Sequence, residues 1–198
     1  MLAQQDHARL ADVYGFRGGG TAELHEVRFS DITPDVEGAR ATVVALLSAH
    51  GRVVYRDHET KLDYVGRERF HMKACAAAMW CEEGDQLAGL RGILVALFQR
   101  YDAWERRDPE AYGRLVSADY RDGGEDRTAA LQRVRATLSG ATATARVVGW
   151  QIRVDRASAE VGEDLEVPPQ VGGAAAGRER HVYRLVREEG RWVFAGGV

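Results

Sequence analysis

Four side chains in the C-terminal half of the sequence have the chemistry of acid and base catalysis. His181 and Tyr183 stand at alternate positions of a run typical of a β-strand, so both should point to the same face of that strand. An imidazole exchanges protons near neutral pH, and a phenol can donate a hydrogen bond to a substrate oxygen. Asp122 and Asp126 could supply the catalytic base. These four residues form the candidate catalytic set.

Each member of this set also has a structural interpretation. Asp126 precedes a helical pattern and can cap its N-terminus. Asp122 opens an Asp-Gly-Gly sequence that is typical of a turn. His181 and Tyr183 can equally be a strand-edge histidine and a half-buried strand residue. The pattern favours these structural roles, and the catalytic set is a hypothesis beside them.

Three helical segments precede the strand that carries His181 and Tyr183. The first covers residues 93–106, with apolar and aromatic residues at helical spacing. The second opens on Asp108-Pro109, an N-cap followed by proline at the first helical position, and runs to residue 116. The third follows Asp126. Near the N-terminus, residues 1–14 can form one short helix.

A repeated string divides the chain into two similar units. Gly-Arg-Glu-Arg occurs at residues 66–69 and 177–180, and each copy leads into a hairpin that ends in tryptophan, Trp80 or Trp192. Strands are predicted at 23–33, 39–56, 61–76, 79–83, 143–154, 157–167, 177–187 and 191–196. This shared order predicts a duplication, with a shortened unit in residues 1–87 and a complete one in 88–198. Helices segregated from antiparallel strands predict an α+β fold.

The composition excludes several classes of function. The chain has 27 basic and 30 acidic residues, interspersed, and a net charge of −3, which argues against nucleic acid and membrane surfaces as partners. No apolar run reaches the roughly 20 residues that span a bilayer. The N-terminal residues lack the pattern of a secretory signal, so we expect a cytoplasmic protein.

Metal binding is not expected either. Cys75 and Cys81 are separated by five residues, which is not a usual zinc spacing, and they are expected to be reduced, partly buried thiols. Asp57, His58 and Glu59 are adjacent on a predicted strand and therefore point to opposite faces.

Two segments of the second unit resemble a known superfamily. Residues 101–120, YDAWERRDPEAYGRLVSADY, and residues 184–197, RLVREEGRWVFAGG, are similar to the nuclear transport factor 2-like (NTF2-like) superfamily, and within it to the SnoaL-like and ketosteroid-isomerase-like domains. The resemblance covers about 110 residues of the second unit, whereas the first unit matches only the sheet. It implies a cone, in which a strongly bent antiparallel sheet wraps helices around a pocket, and dimers that form through the sheet.

The resemblance also implies a ligand site. The pocket of such a cone would be lined by Tyr101, Trp104, Tyr120 and Trp150 together with the catalytic set, and it would bind a small apolar, polyketide- or steroid-like molecule. Catalysis would be isomerisation, cyclisation or dehydration by acid and base groups without a cofactor. The alternative is a non-catalytic dimerisation or protein-interaction module.

The residues of ketosteroid isomerases do not transfer to this chain. Their catalytic tyrosine position falls on Arg100, one residue before Tyr101, and their base position falls near Gly124. The activity of that family is therefore not carried over residue by residue.

The first unit should expose an apolar sheet face, since it lacks most of its helices. Val43, Ala45 and Leu47, and then Val53 and Tyr55, alternate with other residues along the predicted strand 39–56. Residues 1–14, the second unit or another chain could cover this face. A homodimer is favoured, because two-fold pairing is the commonest symmetry and the resemblance implies pairing through the sheet.

Overall fold

A computed structural model describes residues 20–56, 58–76, 79–84, 87–140, 145–168 and 177–198, and the backbone of residues 13–15. Its elements are β1 (Val13–Gly15), β2 (Gly20–Glu37), β3 (Arg40–Tyr55), β4 (His58–Ala76), β5 (Met79–Glu82), α1 (Ala88–Glu105), α2 (Pro109–Gly113), β6 (Arg121–Asp122), β7 (Glu125–Asp126), α3 (Arg127–Gly140), β8 (Arg146–Asp155), β9 (Ser158–Val167), β10 (Gly177–Glu188) and β11 (Arg191–Gly196). The predicted α+β class is confirmed.

The main sheet contains strands from both halves of the chain. Its order is β1-β2-β3-β4-β8-β9-β10-β11, with β5 paired to β4, and β6 and β7 form a separate two-stranded sheet. All pairs in the main sheet are antiparallel except β4 with β8, which run parallel from Lys61 opposite Gly149 to Gly66 opposite Val154. A parallel pair needs a long crossover connection. The segment between β4 and β8 contains all three helices.

Each half of the sheet is an antiparallel meander. The first is β2-β3-β4-β5 and the second is β8-β9-β10-β11, and the two Gly-Arg-Glu-Arg strings lie on β4 and β10, the third strand of each. A meander is the simplest way to connect successive strands, so a common strand order does not by itself establish a duplication. The duplication and the division at residue 87 stay predictions.

Helix α1 covers the inner face of the first meander. Ala45, Leu47, Val53 and Tyr55 are all buried within the single chain, and the ring of Tyr55 stacks on Phe98 of α1 with 4.3 Å between ring centroids. The favoured explanation, cover by a second copy, is therefore wrong for this face: the covering element belongs to the same chain. The homodimer stays a prediction, but the need to cover this apolar face is no longer a reason to expect it.

A carboxylate from the sheet caps the N-terminus of α1. Leu87 precedes the helix in a left-handed conformation and supplies no side-chain cap. Instead Glu68 of β4, 3% exposed, accepts hydrogen bonds from the backbone N–H groups of Gly89 at 3.2 Å and Leu90 at 2.9 Å. The hydroxyl of Tyr64 also donates to Glu68. A negative charge at this end of a helix interacts favourably with its dipole, so Glu68 fixes where α1 begins on the sheet.

Gly89 makes room for this cap. A Cβ at position 89 would lie 2.8 Å from Oε1 of Glu68, closer than real Cβ atoms approach. Burial, and then the negative charge of Glu68, raise the pKa of Tyr64, so that its hydroxyl keeps its proton and remains a donor. The lack of a side chain at Gly89 and the protonated hydroxyl of Tyr64 together stabilise the buried carboxylate of Glu68.

Two local predictions differ from the structure. Of the helix predicted in residues 1–14, residues 1–12 lie outside the described residues, and Val13 and Tyr14 belong to β1, which pairs with β2 from Thr21 to Glu23. Valine and tyrosine favour strands, and a sheet edge satisfies their backbone groups. The second helix ends at Gly113, not at residue 116.

Cys75 and Cys81 form a disulfide with 5.9 Å between their Cα atoms, so the prediction of two reduced thiols is wrong. That prediction assumed a regular hairpin, in which Cys75 would face Trp80. The structure instead pairs Ala74 with Trp80 and has a register shift between Ala74 and Ala76. A bulge leaves its extra residue unpaired and bends the strand, which brings Cys75 next to Cys81.

We expect Glu68→Gln to lower the free energy of unfolding by about 1–3 kcal/mol, because it removes the charge from the buried cap of α1 while keeping its shape. Urea unfolding followed by circular dichroism measures this loss. Glu59→Gln, on the exposed part of the same strand, is the control and should have little effect. Equal losses in the two variants would contradict the capping role.

We expect the double variant Cys75→Ser with Cys81→Ser to be less stable by about 2 kcal/mol, since the bridge closes a loop with a sequence separation of 6 and restricts the unfolded chain modestly. Thermal unfolding with and without reductant measures the effect. The variant should be insensitive to reductant, whereas the unmodified chain should lose stability when reduced. No difference between oxidised and reduced protein would oppose this expectation.

Candidate functional site

A buried ion pair joins α1 to β9. Arg100 follows Leu97 on the face of α1 that packs against the sheet, and Glu163 alternates with the buried Val161 and Leu165 along β9. The side chain of Arg100 is 14% exposed and that of Glu163 is 2% exposed. Charges at such positions need partners, because burial removes them from water.

Each charged group of the pair has several partners. Nη1 of Arg100 lies 3.1 Å from Oε2 and 3.3 Å from Oε1 of Glu163. Trp150 donates from Nε1 to Glu163 at 3.1 Å, and the Tyr183 hydroxyl donates to it at 2.9 Å. Arg100 donates from Nη2 to the Tyr183 oxygen at 2.5 Å and from Nε to the Tyr112 oxygen at 3.2 Å. We call these five residues the Arg100 network.

The network holds its donors in their protonated forms. Burial acts to lower the pKa of Arg100, but the charge of Glu163 and the contacts with Tyr112 and Tyr183 outweigh it, and the net pKa lies well above its usual value. Burial is also the main reason that the pKa of Tyr183 is raised; Arg100 opposes this shift and Glu163 adds to it. At neutral pH the network therefore presents a cationic guanidinium and a neutral phenol.

The Arg100 network forms one wall of a cavity of about 450 Å³. Helices α1 and α3 and strands β9 and β10 surround it, and its apolar lining includes Trp104, Val134, Val147 and Leu165. Cavities of this size, mostly apolar with a few converging polar groups, are typical of small-molecule sites.

Four of the residues predicted from the sequence line this cavity. Tyr101 and Trp104 reach it from α1, and His181 and Tyr183 from β10. Nδ1 of His181 lies 3.3 Å from the Tyr183 oxygen, and its Nε2 lies 3.6 Å from Glu179. The alternation along β10 therefore places the imidazole and the phenol side by side, as expected.

The other predicted residues lie elsewhere. Asp122 accepts a hydrogen bond from the backbone N–H of Gly197 at 2.9 Å. Asp126 accepts one from the N–H of Ala129 at 2.9 Å, which is the helix cap of the structural interpretation. Tyr120 is fully buried and donates to the carbonyl of Val198 at 3.4 Å.

The expectation that Asp122 and Asp126 line the same cavity as His181 and Tyr183 is therefore wrong, since neither is among the described residues that line it. The reason lies in the β6–β7 hairpin. Gly123 and Gly124 have positive φ angles of 53° and 88°. This tight turn keeps Asp122 against the end of β11, where it binds backbone and not the cavity.

Sequence reasoning missed both charges of the buried pair. Glu163 was visible as a carboxylate in phase with Ala159, Val161 and Leu165 on the inward face of a strand. Arg100 was likewise visible as a cation at helical spacing from Leu97. A charge on an apolar face is an informative signal, because an ionised side chain is rarely buried without a partner.

Trp150, also predicted to bind the ligand, has a different position. Its indole N–H is bound to Glu163, and its ring faces a second, smaller cavity that strands β3 and β4 help to form.

Within the parts of the chain that the structure describes, no group of three His, Cys, Asp or Glu side chains is arranged to hold a metal ion. Among the described helices, none is long and apolar enough to cross a membrane.

Comparison with known proteins shows that this chain is similar to several solved structures. No family model matches the chain, and no curated protein matches it. A proposed ketosteroid isomerase from Shewanella frigidimarina is 14% identical, with a TM-score of 0.42, over 52% of this chain and 89% of that one. A proposed dehydratase of the NTF2-like family from Streptomyces avermitilis is 13% identical, with a TM-score of 0.41, over 54% and 91%.

A third similar structure, described as an NTF2-like protein involved in plasmid conjugation, is 10% identical, with a TM-score of 0.36, and covers 89% of this chain and 77% of its own. Similarities of this size say nothing about the ligand or the reaction.

We expect Glu163→Gln to lower the free energy of unfolding by about 3–5 kcal/mol, because it leaves the guanidinium of Arg100 buried without a counter-charge. The double variant Arg100→Met with Glu163→Met should regain much of that loss, since it removes both charges at once. Urea unfolding of Arg100→Met, of Glu163→Met and of the double variant measures the coupling.

The surface pair of Arg178 with Glu166, 3.5 Å apart on the neighbouring strands β10 and β9, provides the control. Glu166→Gln should change stability little, because exposed pairs are screened by water. Similar losses for Glu163→Gln and Glu166→Gln would refute the buried pair as the stabilising interaction.

Proposed function

We propose that this chain binds a small, largely apolar carbonyl compound in the cavity beside the Arg100 network and promotes an acid–base reaction on it without a cofactor. The observation that carries the proposal is the position of the Arg100 guanidinium, held by Glu163 and Tyr183, on one wall of an otherwise mainly apolar cavity. Polyketide- and steroid-like compounds are the class that the resemblance of residues 101–120 and 184–197 implies.

The guanidinium of Arg100 suits an oxygen that becomes negative during the reaction. When a proton leaves the carbon next to a carbonyl group, the electron pair of the C–H bond moves toward the carbonyl oxygen and forms an enolate. Fixed hydrogen-bond donors stabilise such an oxyanion more than the neutral carbonyl. Arg100 supplies a positive charge there, and Tyr183, whose single proton is donated to Glu163, orients the guanidinium by accepting a hydrogen bond from Nη2.

His181 is the group that takes the proton in this proposal. Tyr183 donates its own proton to Glu163, so the contact between the Tyr183 oxygen and Nδ1 of His181 requires Nδ1 to carry hydrogen. Nε2 is then the free acceptor. Glu179, 3.6 Å from Nε2, would stabilise the imidazolium that forms. Return of the proton to another carbon completes an isomerisation, and its use to release a hydroxyl group as water completes a dehydration.

A non-catalytic interaction module is the second candidate, and exposed apolar side chains on β2 and β5 favour it. Ile32 and Val36 on β2, with Met79 and Trp80 on β5, are between 41% and 58% exposed. Strand β2 is poorly suited to pairing with a partner strand, however. Register shifts occur where Glu26 and Asp31 have positive φ, and bulges of this kind interrupt pairing along a sheet edge. The cavity is the stronger basis for a function.

The tandem origin of the two units and the homodimer remain further proposals. The first rests on the repeated string at residues 66–69 and 177–180, and the second on the resemblance alone. Neither is needed for binding in the cavity, whose described lining comes from residues 100–198.

We expect the protein to bind 4-phenyl-2-butanone, and Leu165→Trp to abolish this binding by filling the cavity. Tyr183→Phe should weaken it several-fold, since it removes the hydroxyl that orients the Arg100 guanidinium. Nuclear magnetic resonance titration of ¹⁵N-labelled protein measures the affinity. Val182→Trp is the matched control: Val182 lies between His181 and Tyr183 but is 48% exposed and does not line the cavity.

The same ketone tests the proton transfer. Exchange of its hydrogens for deuterium next to the carbonyl should be faster with the protein than in buffer, and His181→Ala should lower that rate about 10²-fold. Val182→Ala should leave it unchanged. The proposal fails if the unmodified protein does not bind the ketone, or if Leu165→Trp binds it equally well.

A further inference from the structure

A second cavity of about 200 Å³ lies where the first half of the sheet meets α1 and β8. Tyr55 at the end of β3 and His58 at the start of β4 form one side, and Tyr101 of α1 and Trp150 of β8 form the other. The lining is therefore rich in rings, and it combines residues from both predicted units.

The rings form an interlocked wall. Tyr101 meets Tyr55 at 6.0 Å and 88° and meets His58 at 5.9 Å and 68°, both edge-to-face arrangements. Trp150 is 5% exposed, and its bond to Glu163 fixes the direction of its indole plane. Such fixed rings offer flat, rigid surfaces to a planar ligand group.

Four polar side chains of this wall already have partners. The Tyr55 hydroxyl donates to Asp102 at 2.5 Å, and the Thr60 hydroxyl donates to the carbonyl of Val147 at 3.5 Å. The indole N–H of Trp150 is bound to Glu163. Glu105 pairs with Arg56. A ligand group in this cavity therefore meets ring faces and not free hydrogen-bonding groups of these side chains, which favours an apolar group.

The size of the cavity fits a single ring. An apolar protein cavity of about 150 Å³ is known to bind benzene, so the space here accepts one six-membered ring with a short substituent.

The second cavity adjoins the first. Tyr101, Ala145 and Val147 line both, so the two spaces are separated by little more than one layer of side chains. Trp150 makes a further connection, because its ring lines the second cavity while its N–H holds Glu163 in the wall of the first. The two cavities therefore share part of their lining, with Tyr101 in the wall of each.

We propose that the two cavities are two parts of one site, in which the second binds a planar apolar ring of the molecule whose carbonyl oxygen lies at the Arg100 network. This rests on the proposed function, because it assigns the carbonyl end to the first cavity. The ligand is then an elongated carbonyl compound with a terminal ring, and the first half of the chain determines its specificity.

Two ketones that differ by the ring test this inference. Thr60 lines only the second cavity and Leu165 only the first. We expect Thr60→Phe to weaken binding of 4-phenyl-2-butanone at least about tenfold, because it excludes a six-carbon ring from buried surface. Binding of 2-butanone should change by less than about twofold. The indole signal of Trp150, assigned with Trp150→Phe, reports both titrations.

A measurement on the unmodified protein guards against misfolding of the variant, since Thr60 is buried. Nuclear Overhauser effects should connect the phenyl protons of the ligand to the rings of Tyr55 and His58, and its methyl ketone protons to Leu165.

The outcomes separate the two proposals. If Thr60→Phe leaves 4-phenyl-2-butanone binding intact while Leu165→Trp abolishes it, the ring lies in the first cavity, and this inference is overturned while the proposed function stands. Equal weakening of both ketones by Thr60→Phe also overturns it. If the unmodified protein binds neither ketone, the proposed function itself fails.

Discussion

The buried charge of Arg100 is the constraint on which the site depends. A guanidinium placed among Leu97, Phe98 and the sheet must keep its charge, because its pKa is far above neutral, and so it must find partners inside the protein. Glu163 provides the counter-charge, and Tyr112 and Tyr183 accept its remaining hydrogen bonds. These contacts fix the position of α1 over β9 and β10, and with it the width of the cavity.

A buried ion pair seldom adds net stability over an apolar pair of the same shape. In this chain the main effect of the Arg100–Glu163 pair is to fix the position of α1. The cap by Glu68 holds the first turn of α1, and the contact of Arg100 with Glu163 holds the helix three turns later. With both ends attached to charges on the sheet, α1 cannot slide or rotate without leaving a buried carboxylate unpaired. The geometry of Tyr183 and Trp150 follows from the same two attachments.

Local sequence patterns predicted the elements well but not the contacts between them. The alternation in β3, β4 and β9 gave strand bounds within a few residues, because a half-buried strand repeats every two residues. It could not place Cys75, since a single bulge shifts every later position. Nor could it place Asp122, whose direction depends on two glycines with positive φ. Glu163 and Arg100 were each readable as buried charges, yet their pairing across 63 residues arises only when α1 packs on the sheet.

The first half of the chain contributes more than an added sheet. Because β4 pairs in parallel with β8, the end of β3 and the start of β4 lie beside Trp150 and the C-terminal part of α1. Tyr55 then serves two roles: its ring stacks on Phe98, and its hydroxyl donates to Asp102. Burial and that hydrogen bond raise the pKa of Tyr55 to about 12, so it remains a neutral donor at any physiological pH. Tyr55 therefore keeps its hydrogen bond to Asp102, and its place in the wall of the ring-lined cavity, throughout the physiological pH range.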